Sequence, residues 1–237
     1  MAIGARHIPV EVRRSRRARR LSLTADTARG VVRLTIPARA AYEDAARFLD
    51  SRKGWLGARL NDLPVACPFA PGARFPLEGG DVVIRHRPAA PREPVLGDGV
   101  ITVGGPSAFL HARIDRWLRR RAEVLLTAET AEFARRIDRE ATITQVRVRD
   151  TRRQWGSCAP AHGRFSYSWR LILAPPLVRR AVVAHEVAHL VHRGHDARFH
   201  RLADELAGGT QDEANAWLRR HGTSLHWIGR QENDGPA

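Results

Sequence analysis

Five consecutive residues, His185-Glu186-Val187-Ala188-His189, are of types and at a spacing that can do chemistry. On an α-helix, imidazoles four residues apart stand one above the other, about 6 Å along the axis, so both can reach one cation. Imidazole nitrogen is a good ligand for Zn²⁺. Glu186, one step past the first histidine, projects to the side where an attacking water would lie. A carboxylate there can take the proton of that water and pass it to a leaving amine. The segment from Leu177 to Val191 is apolar enough to be a buried helix, with Val182, Val183, Val187, Ala188 and Leu190 around the polar triplet. A surface helix whose histidines merely pair with carboxylates would not be apolar all round.

A catalytic zinc keeps three protein ligands and one open position. His195 lies six residues past His189, and in a continuous helix six residues turn it about 240° away. His195 therefore coordinates only if the helix ends and the chain turns back, for which Gly194 is well placed. The spacing HExxH-x5-H equals that of metzincins, whose glycine falls where this chain has His192. His192 and His200 read better as surface or packing histidines. Glu205 or Glu213, from the following helices, would be the other zincin solution, and His195 stands ahead of both. Asp196 precedes a helical pattern and suits an N-cap, a role compatible with one behind the metal.

The elements that must position these groups form an α+β chain with a β-rich first third. Val10 and Val12, Leu21 and Leu23, and Val32, Leu34 and Ile36 alternate with polar neighbours, the period of strands with one buried face. Helical spacing runs from Ala40 to about Leu63, with Pro64 as its stop. A short strand pair around Asp81 to Arg87 and Gly99 to Val103 flanks the Pro- and Gly-rich loop Pro88 to Gly99. Gly104, Gly105 and Pro106 set a boundary, giving a β-rich region 1–104 with one helix and a second domain 105–237. In that domain a helix runs from Ser107 to about Asp138, strands start at Val146 and span Phe165 to Leu173, and helices follow at 177–192, 196–207 and 211–221.

Composition narrows the class further. Forty Lys+Arg face twenty-five Asp+Glu, a net charge of +15, and all but Lys53 are arginine, a pattern that coding bias explains better than an acidic partner does. With 43% hydrophobic and 27% charged residues the chain reads as globular, not disordered. Cys67 and Cys158 cannot supply a disulfide framework and fit a reducing cytoplasm. The first twenty residues have no apolar stretch of the secretory kind, and no run approaches the ~18 apolar residues of a membrane span. A cytoplasmic location with no membrane partner is expected. The run Arg13 to Arg20 can contact phosphates, but no aromatic residue interrupts it. The solvated basic face of a strand is the better reading, with nucleic acid a minority partner.

On these residues the chain resembles the YgjP-like metallopeptidases, relatives of the SprT-like and WLM zinc peptidases. The resemblance runs through VEVRRSRRARRLSL (Val10 to Leu23), VRVRDTRRQWGSC (Val146 to Cys158), WRLILAPP (Trp169 to Pro176) and VVAHEVAHLVHRGHDARF (Val182 to Phe199). It implies a zincin-like domain with a small sheet and an HExxH helix. One Zn²⁺ would be held by His185, His189 and His195, with Glu186 as catalytic base, acting on peptide or protein substrates. Gln154, Ser168, Gly194 and His200 depart from the family pattern, at places that bear on the substrate groove rather than the metal.

Other motifs suggest roles around that centre. An edge strand beside the metal helix can pair with an extended substrate; Phe165 to Leu173 is the candidate, an ordinary core strand the alternative. Trp155, Trp169 and Phe199 suit core aromatics. Cys158 reads as a small buried residue ahead of a redox-sensitive thiol or an inhibitory ligand. His162, Tyr167 and Arg170 are candidates for stabilising an oxyanion. Two further functions use the same residues: a metal-dependent nucleotide pyrophosphatase or phosphohydrolase, and a nucleic-acid-associated zinc protein. The first lacks a glycine-rich phosphate loop and a carboxylate cluster for Mg²⁺.

Overall fold

The computed structural model describes residues 1–3 and 6–231, which divide into two compact units, 1–65 and 66–231. The architecture is mixed α+β, with small sheets and six α-helices among the described residues.

In the first unit, β1 (Ala2–Ile3) and β2 (Arg6–His7) form a short antiparallel pair. A three-stranded sheet follows, in which β5 (Val31–Pro37) lies between β3 (Val10–Ser15), parallel to it, and β4 (Ser22–Asp26), antiparallel. Alternation in β5 buries Val32, Leu34 and Ile36 while Arg33 and Thr35 stay partly in solvent, as the period-2 pattern requires. The helix expected from Ala40 to Leu63 is two, α1 (Tyr42–Ser51) and α2 (Lys53–Leu60), parted at Arg52. Within the basic run, the exposed Arg14 guanidinium donates to the carbonyls of Ala38 at 2.8 Å and Ala40 at 3.0 Å. Arg13, Arg16, Arg17, Arg19 and Arg20 are exposed.

The second unit opens with a four-stranded sheet. Its order is β6 (Arg74–Leu77), β7 (Gly80–His86), β9 (Val100–Val103), β8 (Val95–Gly97). The composition break at Gly104-Gly105-Pro106 thus falls inside this unit, and the division by compactness lies after Val65. The long helix α3 (Leu110–Arg135) buries Leu110, Ile114, Leu118, Leu126 and Phe133, one helical stripe against the main core. Three strands form a small mixed sheet: β10 (Gln145–Arg149), β11 (Gly156–Ala159) and β12 (Arg164–Ser168), in the order β10-β12-β11.

This order corrects one expectation. The strand foreseen at Phe165 to Leu173 stops at Ser168, and Trp169–Leu173 is a fully buried 3-10 turn. Because β12 is the central strand, parallel to β10 and antiparallel to β11, it has no free edge to offer. The edge beside the helix that carries HExxH belongs to β11, a stretch of small residues that lacks the β-branched and aromatic signal of a strand.

Helices α4 (Pro176–Ala188), α5 (Ala197–Ala207) and α6 (Gln211–Leu225) complete the unit, and α4 packs against α3, α5, α6 and β11. Pro176 sits in the first turn of α4, where its missing N–H costs nothing. The buried Arg179 clamps α4 to α3 by donating to both oxygens of the equally buried Glu129, at 2.8 Å to Oε1 and 3.0 Å to Oε2. No helix among the described residues is long and apolar enough to cross a membrane.

Candidate metal centre

Helix α4 ends sooner than its apolar run suggests. Its last residue is Ala188, and His189 is the C-cap in an αR conformation. The next N–H groups tighten onto the carbonyls behind them, Leu190 onto Val187 at 2.9 Å and Val191 onto Ala188 at 3.1 Å. These three-residue bonds close the helix and turn the chain back. Asp196 then caps α5, its Oδ1 accepting from the N–H of Arg198 at 3.0 Å and of Phe199 at 2.9 Å. His195 is the residue before that cap, so the bend and the start of α5 together set where its ring points.

That placement brings the three imidazoles together. Ligating nitrogens of His185, His189 and His195 all lie within 4.8 Å of one another. The Nε2 atoms of His185 and His195 are 3.2 Å apart. Two nitrogens each ~2.0–2.1 Å from one tetrahedral zinc would stand about 3.3–3.4 Å apart, so the spacing suits a shared ion. His189 Nδ1 is 3.0 Å from the carbonyl oxygen of His192. A carbonyl only accepts, so this nitrogen carries the proton and Nε2 presents its lone pair, the arrangement that fixes a ligating tautomer. Burial, then the neighbouring imidazoles, lowers the pKa of His185 to about 4, and burial also lowers that of His189. Both rings are thus neutral at pH 7 and able to donate to a metal.

Phe199 is the floor of this cage. Its fully buried ring lies 4.8, 4.5 and 4.6 Å from the rings of His185, His189 and His195. The expectation of a core aromatic holds, and the ring also supports all three imidazoles. Neither His200 nor Glu205 nor Glu213 joins the cluster: all three are exposed, and the His200 ring centroid is 6.2 Å from that of His195. Gly194 does not act as expected. It has no positive φ, and an added Cβ would meet nothing within 4 Å, so the bend does not depend on glycine.

Glu186 is only 7% exposed, and burial raises its pKa to about 7. Its carboxyl is pressed against β11: a Cβ built on Gly156 would fall 2.6 Å from Glu186 Cγ and 2.7 Å from Oε1. Gly156 therefore leaves the room that the carboxylate occupies. Together with the three histidines, Gly156, Ser157, Cys158, Pro160 and Arg193 wall an open cleft of about 300 Å³. Burial, with the Glu186 charge adding, pushes the Cys158 thiol up to about 12, so it is a neutral SH group at pH 7.

The candidate oxyanion groups lie elsewhere. Arg170 is buried and donates to Asp150 and to the carbonyls of Leu225 and Ile228. Tyr167 is fully buried beside Thr130, and His162 is exposed outside the cleft lining. Arg193, which sequence reasoning passed over as one of many arginines, is the cationic side chain of the cleft. Trp155 is half-buried and stacks on His226 at 5.0 Å.

The edge of β11 has a definite polarity. Ser168 donates to the carbonyl of Trp155 at 2.8 Å, which makes 155/168 a hydrogen-bonded pair. In the antiparallel register Gly156↔Tyr167 and Cys158↔Phe165, alternation then turns the N–H and C=O of Gly156 and Cys158 outward, away from β12.

A family model described as YgjP-like, metallopeptidase domain, matches residues 19–221 of the chain. No curated protein matches it, and no solved structure does.

Proposed function

The chain belongs to the YgjP-like metallopeptidase family, and from that premise we propose that it hydrolyses peptide bonds with one zinc ion held by His185, His189 and His195. The observation that carries this reading is the convergence of three imidazole nitrogens within 4.8 Å, beside a buried carboxylate that faces the same cleft. Three imidazole nitrogen donors fit zinc by type and number. When bound, zinc supplies Lewis acidity, polarising a carbonyl and lowering the pKa of a water toward ~7.

Glu186 is the general base. Its carboxylate accepts a proton from the attacking water and returns it to the departing amine, and its burial keeps bulk water from competing for that proton. Extended substrate adds to the free edge of β11 through the outward amide and carbonyl groups of Gly156 and Cys158, which aligns the scissile bond along the cleft. His189 is held in its ligating tautomer by the His192 carbonyl, and Phe199 keeps the three rings from turning. Arg193 stands where it can offset negative charge that develops on the substrate. The catalytic machinery falls within residues 105–237, and two unpaired cysteines support a reducing, cytoplasmic setting.

The test combines metal analysis with turnover. Purified protein carries close to one zinc per chain, cleaves a peptide library, and loses cleavage to chelator. Glu186→Gln keeps the zinc and loses ~10²–10⁴-fold in kcat, whereas His189→Ala loses the zinc. Wild-type turnover by Glu186→Gln would overturn the role of the base. Chelator-sensitive cleavage of nucleoside triphosphates in place of peptides would overturn the bond assigned.

A further inference from the structure

A second cavity adjoins the metal cleft on the far side of Gly156. It measures about 180 Å³ and shares Gly156, His185 and Glu186 with the first, so anything held in it lies within one residue of the reacting centre. Its walls are otherwise apolar: Ala181 and Val182 from α4, Ala214 and Leu218 from α6, and the indole of Trp155. Gln211 also faces it, but its amide is engaged, donating to the Ala181 carbonyl at 2.8 Å. Asn215 stands exposed at the rim. Apart from Glu186 and His185, the lining carries no ionisable side chain.

We infer that this cavity is a subsite for one uncharged apolar side chain, leucine- to phenylalanine-sized, on the substrate residue next to the scissile bond. The inference rests on the peptidase reading and names the substrate class for it. Size suits the choice: a cavity of ~150 Å³ takes a benzene ring, and this partly open one, at about 180 Å³, is slightly larger. Chemistry sets the preference. A charged side chain would be desolvated there with no partner except the catalytic carboxylate, whereas an apolar one loses nothing. The backbone delivers the side chain. A strand paired to the outward groups of Gly156 runs past the residue that forms the wall between the two cavities, and alternate side chains of an extended peptide point to one side.

The test uses the full chain, both stripped of metal and loaded with zinc. Methyl resonances of Val182 and Leu218 are followed by NMR while N-acetyl-leucinamide, N-acetyl-phenylalaninamide, N-acetyl-glycinamide and N-acetyl-aspartamide are added. The leucine and phenylalanine amides should shift both methyls saturably and at least five-fold more tightly than the other two. Val182→Phe, which fills the cavity, should remove that difference, and Asn215→Asp at the exposed rim should favour N-acetyl-lysinamide instead. Equal shifts for all amides, or none in the wild type, would overturn the subsite. Library cleavage separates this result from the parent reading. Cutting with no enrichment of apolar residues beside the cut removes the subsite and leaves the peptidase standing. Selective amide binding with no cleavage of any peptide does the reverse.

Discussion

Replacing Gly156 by alanine asks which atom yields when a methyl group is placed against the Glu186 carboxylate, the proposed base. The new Cβ would lie 2.6 Å from Glu186 Cγ, 2.7 Å from Oε1 and 3.0 Å from Cδ. Carbon atoms in ordinary contact stand ~3.5–4.0 Å apart, so the overlap is about 1 Å. Gly156 has an ordinary φ, and alanine brings no backbone strain of its own. Strand β11 is tied to β12 along its length, while the Glu186 carboxyl is the free end of a rotatable side chain. The carboxylate moves and the strand does not. A displacement of ~1 Å in a catalytic group costs on the order of 10²-fold in rate, or about 2.7 kcal/mol in the barrier. The three histidines proposed as ligands are untouched, so the zinc content of Gly156→Ala should equal that of the wild type and its Tm should move by only a few degrees. Steady-state kcat/KM on a peptide substrate, with metal analysis and a thermal melt on the same preparation, reads all three quantities. Activity within two-fold of wild type would show that the methyl is accommodated and that Gly156 does not set the position of the base. A large fall in Tm with activity retained would show that the strand gives way instead.

Gly194→Ala should fold, bind zinc and turn over normally, with a gain of ~0.4–1 kcal/mol from the stiffer unfolded chain; loss of metal would show that the bend does need glycine. Glu129→Gln strips the charge from a pair in which both side chains are 6% exposed. It should cost about 3–5 kcal/mol in urea melts, and a loss below 1 kcal/mol would contradict the burial. Asp150 is governed by competing effects: burial raises its pKa, but the charge and hydrogen bond of Arg170, then Arg119 and Arg152, outweigh it and hold the carboxyl low. A carboxyl with a depressed folded pKa stabilises the fold above its unfolded pKa of ~3.9 and ceases to as pH falls through the folded value. Asp150→Asn should therefore melt lower than wild type at pH 7, and the gap should close below pH ~4; a gap of constant size down to pH 2 would remove the charge from the explanation.

The parts of this fold that showed in the sequence are those whose signal is local. Alternation announced β3, β4 and β5, and HExxH at helical spacing announced the end of α4 where His185 and His189 stand together, because one residue's neighbours in sequence are also its neighbours in space. Asp196 was legible as a cap for the same reason. What stayed hidden depends on residues far apart in the chain. The free edge of β11 is invisible in Gly-Ser-Cys-Ala, since nothing local says that β12 will sit between β10 and β11. Gly156 matters through a side chain thirty positions later, and the apolar cavity is walled by α4, α6 and a tryptophan that no local pattern joins. Arg193 was masked by abundance. The early end of α4 was masked by the apolar run that continues through Leu190, which is partly buried, and Val191, which is exposed.

His195 is the residue immediately before the Asp196 cap, and Phe199 inside the first turn of α5 supports the three rings. The third donor and the aromatic base are thus held by one short helix that follows the other two donors in the chain. If the three histidines hold an ion as proposed, forming α5 and closing the coordination sphere are a single event, and that ion must also slow the opening of Ala197–Ala207. Helix α5 should then exchange its amide protons more slowly with zinc than without, while the strands Ala2–Ile3 and Arg6–His7 should be indifferent to the metal.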